Sequence, residues 1–391
     1  MTDKNNGILH QNSSDSVERN GFWCLGIRPS EIDKTLSANP WCENIIAYFK
    51  RSIQNQNQYI ERGNPVFAAD LFYQVLGMLL SVPHSDIEET TVFNITEYVL
   101  NLQDRNGSFG FYPTNPQTEI AKILKNRTLP TDVYATFYAL GILNMLNVEL
   151  AENQLDKIIN WLSEFQAPSG WYYNLDWANT EEHCKLQNEV TLQTLCAASL
   201  YNFLDVEKDW IPILSAIEEG LAELLYMGPV QQCLQTWDIL TCGKPLTGQM
   251  MSTVEDFISD HYDVENGGFY EYLRERAKQL AGSGGTYTAR YKYDQCTPHV
   301  CSSYNALQML SLLLPYSTTL CDFWQANRMN ISDFFANQAP ASDDGFGIAV
   351  RIAQYTEPFG PASTPLETLM ILASSAMIEH LDEIWDQSQK C

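Results

Sequence analysis

The chain has 391 residues, 45% of them hydrophobic, and a formal net charge of −25. That length and apolar content can bury a large core and exclude a chain disordered throughout. The acidity argues against nucleic acid as a partner, because phosphate backbones are bound by Lys and Arg that displace counterions.

The opening Met1–Asn20 is polar and reads as a loose tail, leaving one domain over 21–385. It lacks the basic-then-apolar order of a signal peptide, and no apolar run reaches the roughly 18 residues of a membrane span. The expectation is a cytoplasmic protein without an integral membrane segment. Ten cysteines run from Cys24 to Cys391 without paired metal-type spacing, the pattern of reduced thiols buried as small apolar residues.

Helical periodicity dominates from there, and six pairs of helices follow one another. A first helix near Trp41–Gln54 precedes a second near Val66–Leu80. Next come Thr91–Gln103 with Asp132–Leu146, and Gln154–Gln166 with Glu189–Phe203. Then follow Ile211–Leu225 with Gln231–Leu240, Gln249–Asp260 with Pro298–Leu313, and Ile331–Gln338 with Pro365–Ile378. The second helix of each pair is apolar nearly all round and belongs inside; the first keeps a polar face and belongs outside. Four pairs carry a Gln or His followed by a Gly-aromatic turn, at Gln103–Phe109, Gln166–Trp171, His261–Phe269 and Gln338–Phe346. A recurring unit that cannot bury its own apolar face must stack on its neighbours. The fold expected is all-α, an α/α toroid of about six helix pairs with an inner and an outer ring. The glycine turns are staples of that fold and carry no chemistry. Long connectors at Tyr112–Pro130, Tyr172–Asn188 and Tyr270–Thr297 all precede inner helices, so they gather at one mouth of the barrel, where function usually sits.

Helix, Gln, Gly-aromatic turn and apolar inner helix together resemble the repeat of the prenyltransferase and squalene-cyclase family, over roughly Phe67–Ile378. The resemblance implies an isoprenoid-processing enzyme that binds a prenyl diphosphate in a central cavity and transfers or rearranges its prenyl group. A helical partner subunit is a further expectation it carries. An unconventional terpene cyclase using a carboxylate as proton donor, and a non-catalytic toroid binding lipid or protein, are the alternatives.

Class II terpene cyclases protonate an alkene with the middle acid of an Asp-x-Asp-Asp box. Here Asp132 matches the first position, while Tyr134 and Ala135 stand where two carboxylates would be. Tyr134 is a weak acid by comparison. Glu189, at the equivalent end of the third inner helix, is a substitute donor, and Asp132 also reads as a helix N-cap or first-turn acid. Prenyltransferase β subunits hold zinc with Asp-x-Cys and a later His. Two registers answer that pattern: Asp294/Cys296 before Pro298, or His299/Cys301 at the helix start, with Glu367 in place of the later His. The resemblance implies Zn2+ on His299, Cys301 and Glu367, three ligands with one open position, with Mg2+ accompanying the diphosphate. The same three also read as first-turn groups and a buried thiol. Arg290 and Lys292, in a basic and glycine-rich connector, match the family's diphosphate ligands, or pair locally with Glu271, Glu275 and Asp294. Phe137, Tyr138 and Tyr304 on the inner helices are candidates to line the cavity.

Overall fold

The structure is a computed structural model that describes residues 25–27, 32, 42–64, 66–81, 87–110, 133–172, 188–204, 206–221, 224, 227–272, 298–338, 345–346 and 364–388. Among the described residues twelve α-helices form six consecutive pairs. These are α1 (Cys42–Glu61) with α2 (Ala68–Ser81), α3 (Glu89–Leu100) with α4 (Val133–Met145), and α5 (Glu152–Ser163) with α6 (Asn188–Phe203). The rest are α7 (Ile211–Gly220) with α8 (Met227–Thr241), α9 (Gly248–His261) with α10 (Val300–Leu313), and α11 (Thr318–Ala336) with α12 (Pro365–Ser388). Among the described residues no strand occurs, and no helix is long and apolar enough to cross a membrane.

Side-chain distribution sorts the helices into two rings. Helix α4 buries every residue except Tyr134 and Asn144, whereas α5 buries only Ile158, Trp161 and Leu162. An all-apolar surface can be satisfied only between neighbours, and a single apolar stripe only against one side. Accordingly the even-numbered helices touch in the order α2, α4, α6, α8, α10, α12 and close back onto α2. The odd-numbered helices lie outside them, α1 on α2, α3 on α4, α7 on α8 and α11 on α12. The toroid expected from the sequence is thus present. The sixth outer helix is longer than its sequence pattern indicates, starting at Thr318 rather than near Ile331. A 3-10 turn at Leu314–Tyr316 passes the chain to Ser317, whose hydroxyl accepts the Leu320 N–H and starts α11 at once.

The glycine turns fasten each pair to the next. In the first, Gly107 has φ +97°, and the residue two places on, Phe109, donates its N–H to Thr136 Oγ1 on α4 at 3.0 Å. The same bond recurs from Tyr172 to Thr194 on α6 (3.0 Å), from Phe269 to Ser303 on α10 (2.9 Å) and from Phe346 to Thr368 on α12 (2.9 Å). The structure moves two members of the expected pattern. Tyr172 rather than Trp171 takes the bonded place in the second copy. In the third, Tyr262 rather than His261 forms the bridge that Gln103 and Gln166 form in theirs. The glycine faces outward onto the following pair. A Cβ on Gly107 would stand 2.7 Å from Lys157 Cβ on α5, and one on Gly170 2.3 Å from Pro212 C on α7. On Gly267, at φ +77°, it would stand 2.1 Å from Asn330 O on α11. Only a residue without Cβ permits both the dihedral and the approach. The four rings Phe109, Tyr172, Phe269 and Phe346 are each 1% exposed or less, worth about 1.5–3 kcal/mol apiece.

Candidate active site at the N-terminal ends of the inner helices

The four hydroxyls that hold the turns mark the outward face of α4, α6, α10 and α12. An α-helix turns about 100° per residue, so residues two places earlier point about 200° away, toward the ring axis. Those residues are Tyr134, Leu192, Cys301 and Leu366. Outer and inner helices alternate, which brings the N-terminal ends of all inner helices to one mouth.

Along the arc α10, α12, α2, α4 that mouth is polar and then aromatic. His299 caps α10 from an extended backbone (φ −135°, ψ 166°), its Nδ1 accepting the Ser302 N–H at 3.3 Å. With Nδ1 an acceptor, the proton resides on Nε2, which donates to Glu271 Oε2 at 3.0 Å. Both partners are buried. Cys301, one step into α10, is hemmed in by the carboxyls of Glu367 and Glu271. Burial first, then these two charges, hold its thiol well above the ordinary cysteine range. Such a thiol is neutral and a poor nucleophile. Glu367, in the first turn of α12, is 3% exposed. Burial pushes its carboxyl up to about 7; its own backbone N–H opposes the rise and the Asp70 carboxylate on α2 adds to it.

Past Asp70 the wall becomes aromatic. Tyr73 Oη and Tyr138 Oη share a hydrogen bond of 2.5 Å that joins α2 to α4. The Tyr138 ring stands edge-on to Tyr134 (centroids 4.4 Å apart), to Phe72 (4.9 Å) and to Phe137 (5.3 Å). Among the described residues the carboxamide oxygens of Gln74 on α2 and Gln193 on α6 are buried without a hydrogen-bond partner, at a cost of about 1–3 kcal/mol each.

The structure therefore brings His299, Cys301 and Glu367 to one mouth, as their register implies, with Tyr134, Phe137 and Tyr138 on the adjoining wall. Tyr304 is fully buried and donates its hydroxyl to Leu25 O at 3.1 Å, so it lies beneath the N-terminal segment and not on an open surface. Asp132, Arg290, Lys292, Asp294 and Cys296 lie outside the described residues, and so does the side chain of Glu189, the second residue of α6. Both His299 ring nitrogens are engaged by protein groups, and among the described residues no three His, Cys, Asp or Glu side chains converge as a metal site requires. Sequence reasoning passed over Asp70 and Tyr73, and read Glu271 as a partner of the connector's basic residues and not of His299. Asp70 and Tyr73 had a signal: Tyr73-Gln-Val-Leu-Gly77 aligns with Phe137-Tyr-Ala-Leu-Gly141, which puts Asp70 at the place of Tyr134. A hollow of about 540 Å³ between Leu314 and Ser388 holds none of these groups.

A closed ring of inner helices, with carboxyls and tyrosines at one mouth, defines an α/α toroid. The model of the prenyltransferase alpha-alpha toroid domain matches residues 42–224 and 230–354, and the chain belongs to that family. No curated protein matches the chain.

Proposed function

We propose that the protein binds an isoprenoid at the mouth of the toroid and rearranges its prenyl chain by acid–base catalysis, with Glu367 as the proton donor. One observation carries the reading. A buried carboxyl on α12, pushed up to about 7, shares the mouth with Asp70 of α2, and the wall that follows on α2 and α4 is made of tyrosine and phenylalanine rings. A general acid works best when its pKa lies near the working pH. In the step proposed, Glu367 gives its proton to one carbon of an alkene, whose π electrons form the new C–H bond. The cation left on the neighbouring carbon is met by the ring faces of Tyr134 and Tyr138. An adjacent C–H then returns a proton to the Glu367 carboxylate, so no oxidant, reductant or acceptor is needed. Asp70 adds to burial in favouring the proton on Glu367 over its loss. A diphosphate, where the substrate carries one, would be met by Arg290 and Lys292 with Mg2+, from the connector that rejoins the mouth at Pro298.

The test is incubation of the purified chain with prenyl diphosphates and with their hydrocarbon counterparts, followed by product analysis. A cyclic or isomerised product formed without acceptor, and lost in Glu367→Gln with binding retained, is expected. Product only in the presence of a thiol acceptor and stoichiometric zinc would replace this reading with prenyl transfer. Absence of any isoprenoid binding would leave a toroid that binds some other partner.

A further inference from the structure

The N-terminal segment does not stay outside the ring. Leu25 and Ile27 are 0% and 1% exposed, and Tyr304 of α10 donates its hydroxyl to the Leu25 carbonyl at 3.1 Å. Gly26 lies one turn further along α10, where a Cβ would stand 3.1 Å from Gln308 Cγ, and its φ of +67° suits glycine. Gln308 is itself held from the next helix by Gln231 Nε2 at 2.7 Å. A cavity of about 160 Å³ beside Gly26 is lined by Leu195 of α6, Asp238 of α8, Ser311 of α10 and His380 of α12. One backbone segment adjoining four of the six inner helices can lie only near the ring axis. Its partners stand three and seven residues beyond Cys301 on α10, about 5–10 Å below the mouth at 1.5 Å per residue.

We infer that Leu25–Ile27 forms the floor of the ligand chamber and sets the length of prenyl chain the protein accepts, excluding long chains from the deep half of the barrel. This rests on the isoprenoid reading above. An apolar chain entering at the carboxyl mouth has one to two helical turns of depth before it meets Leu25, so it must be short or must turn along the Tyr73–Tyr138 wall. Each methylene that finds no apolar surface forgoes burial, which makes the floor a length filter in the way a pocket wall discriminates side chains. The backbone hydrogen bond from Tyr304 and the tight approach at Gly26 fix the height of the floor.

Binding of geranyl, farnesyl and geranylgeranyl diphosphate to the full chain, measured by equilibrium dialysis, tests this. The wild type is expected to favour the shortest probe over the longest by at least about tenfold. Leu25→Ala lowers the floor and should shift that ratio at least tenfold toward the longer chains. Leu25→Trp raises it and should shift the ratio the other way, and the volume-conserving Leu25→Met should leave it in place. If Leu25→Ala unfolds at the assay temperature, Leu25→Val reads the same direction with smaller amplitude. Folded variants that bind all three probes with the wild-type ratio overturn the floor but leave the isoprenoid reading standing. A wild type that binds none of the probes overturns the isoprenoid reading and the floor together.

Discussion

The outward and inward faces of the same four inner helices follow opposite rules. Outward, Thr136, Thr194, Ser303 and Thr368 repeat one hydroxyl that holds one backbone N–H at 2.9–3.0 Å. Inward, the equivalent places carry Tyr134, Leu192, Cys301 and Leu366, and beside the last of these Glu367 stands at the mouth. A packing role is met by the same atom every time, so it repeats. A ligand at the axis presents a different part of itself to each helix, so the residues facing it diverge. Uniformity within the ring reports the fold, and divergence reports the site.

The largest effects should come from the inward face. Glu367→Gln removes the proposed acid and should lower turnover by about 10²–10⁴. It should also stabilise the protein, in a pH-dependent way. The carboxyl titrates near 7 in the folded chain against an ordinary 4.5. Below 4.5 both states are protonated. Between 4.5 and 7 the unfolded chain ionises first, so wild-type stability falls as pH rises through that window and stays reduced above it. Gln does not titrate, so the variant should gain on the order of 3 kcal/mol relative to wild type at pH 8 over pH 4. Urea midpoints at the two pH values measure this. An equal difference at both would mean that Glu367 is ionised in the fold, and the acid role would fail with it. Wild-type turnover should also decline as pH rises through about 7.

The outward face should respond in stability alone. Gly170→Ala forces a Cβ to within 2.3 Å of Pro212 at φ +91° and should cost about 3–4 kcal/mol through strain and displacement of α7. Thr194→Val keeps the shape but strands the buried Tyr172 N–H, a loss of about 1–3 kcal/mol. Thermal melts report both. If either variant, still folded, altered the product spectrum, the division between the two faces would be broken.

That division also governs what was legible beforehand. The six pairs, their order and the mouth followed from repeated turns and apolar periodicity, because both are local. The start of α11 at Thr318 was missed because its marker is a 3-10 turn and a serine cap, not a repeat element. The Glu271–His299 bond spans 28 residues across a connector, and Tyr304 meets Leu25 across 279. No periodicity encodes such contacts. Leu25 lies in the short apolar run Phe22–Ile27 just past the polar opening segment, but it belongs to no repeat, so no register places it at the axis. The register that placed Cys301 and Glu367 together was readable, because Ser303 and Thr368 tie both helices to their turns. The protonation of Glu367 was not readable, because it depends on burial and on Asp70 one helix away.

The smallest effect isolates what the aromatic wall contributes. Tyr138 offers the mouth two things, a hydroxyl bonded to Tyr73 and a ring packed edge-on to Tyr134. Tyr138→Phe removes only the first. Tyr73 and Tyr134 both retain some exposure, so water can replace the lost partner and the cost should stay near 0.5–1 kcal/mol. Turnover should change by less than about threefold, because a cation is stabilised by the ring face and the face remains. Tyr138→Leu keeps the site apolar but removes the face, and should lower turnover about tenfold more than the Phe variant does. Equal turnover in the two variants would show that the wall serves as apolar surface alone, and the inward divergence at this position would then reflect shape and not chemistry.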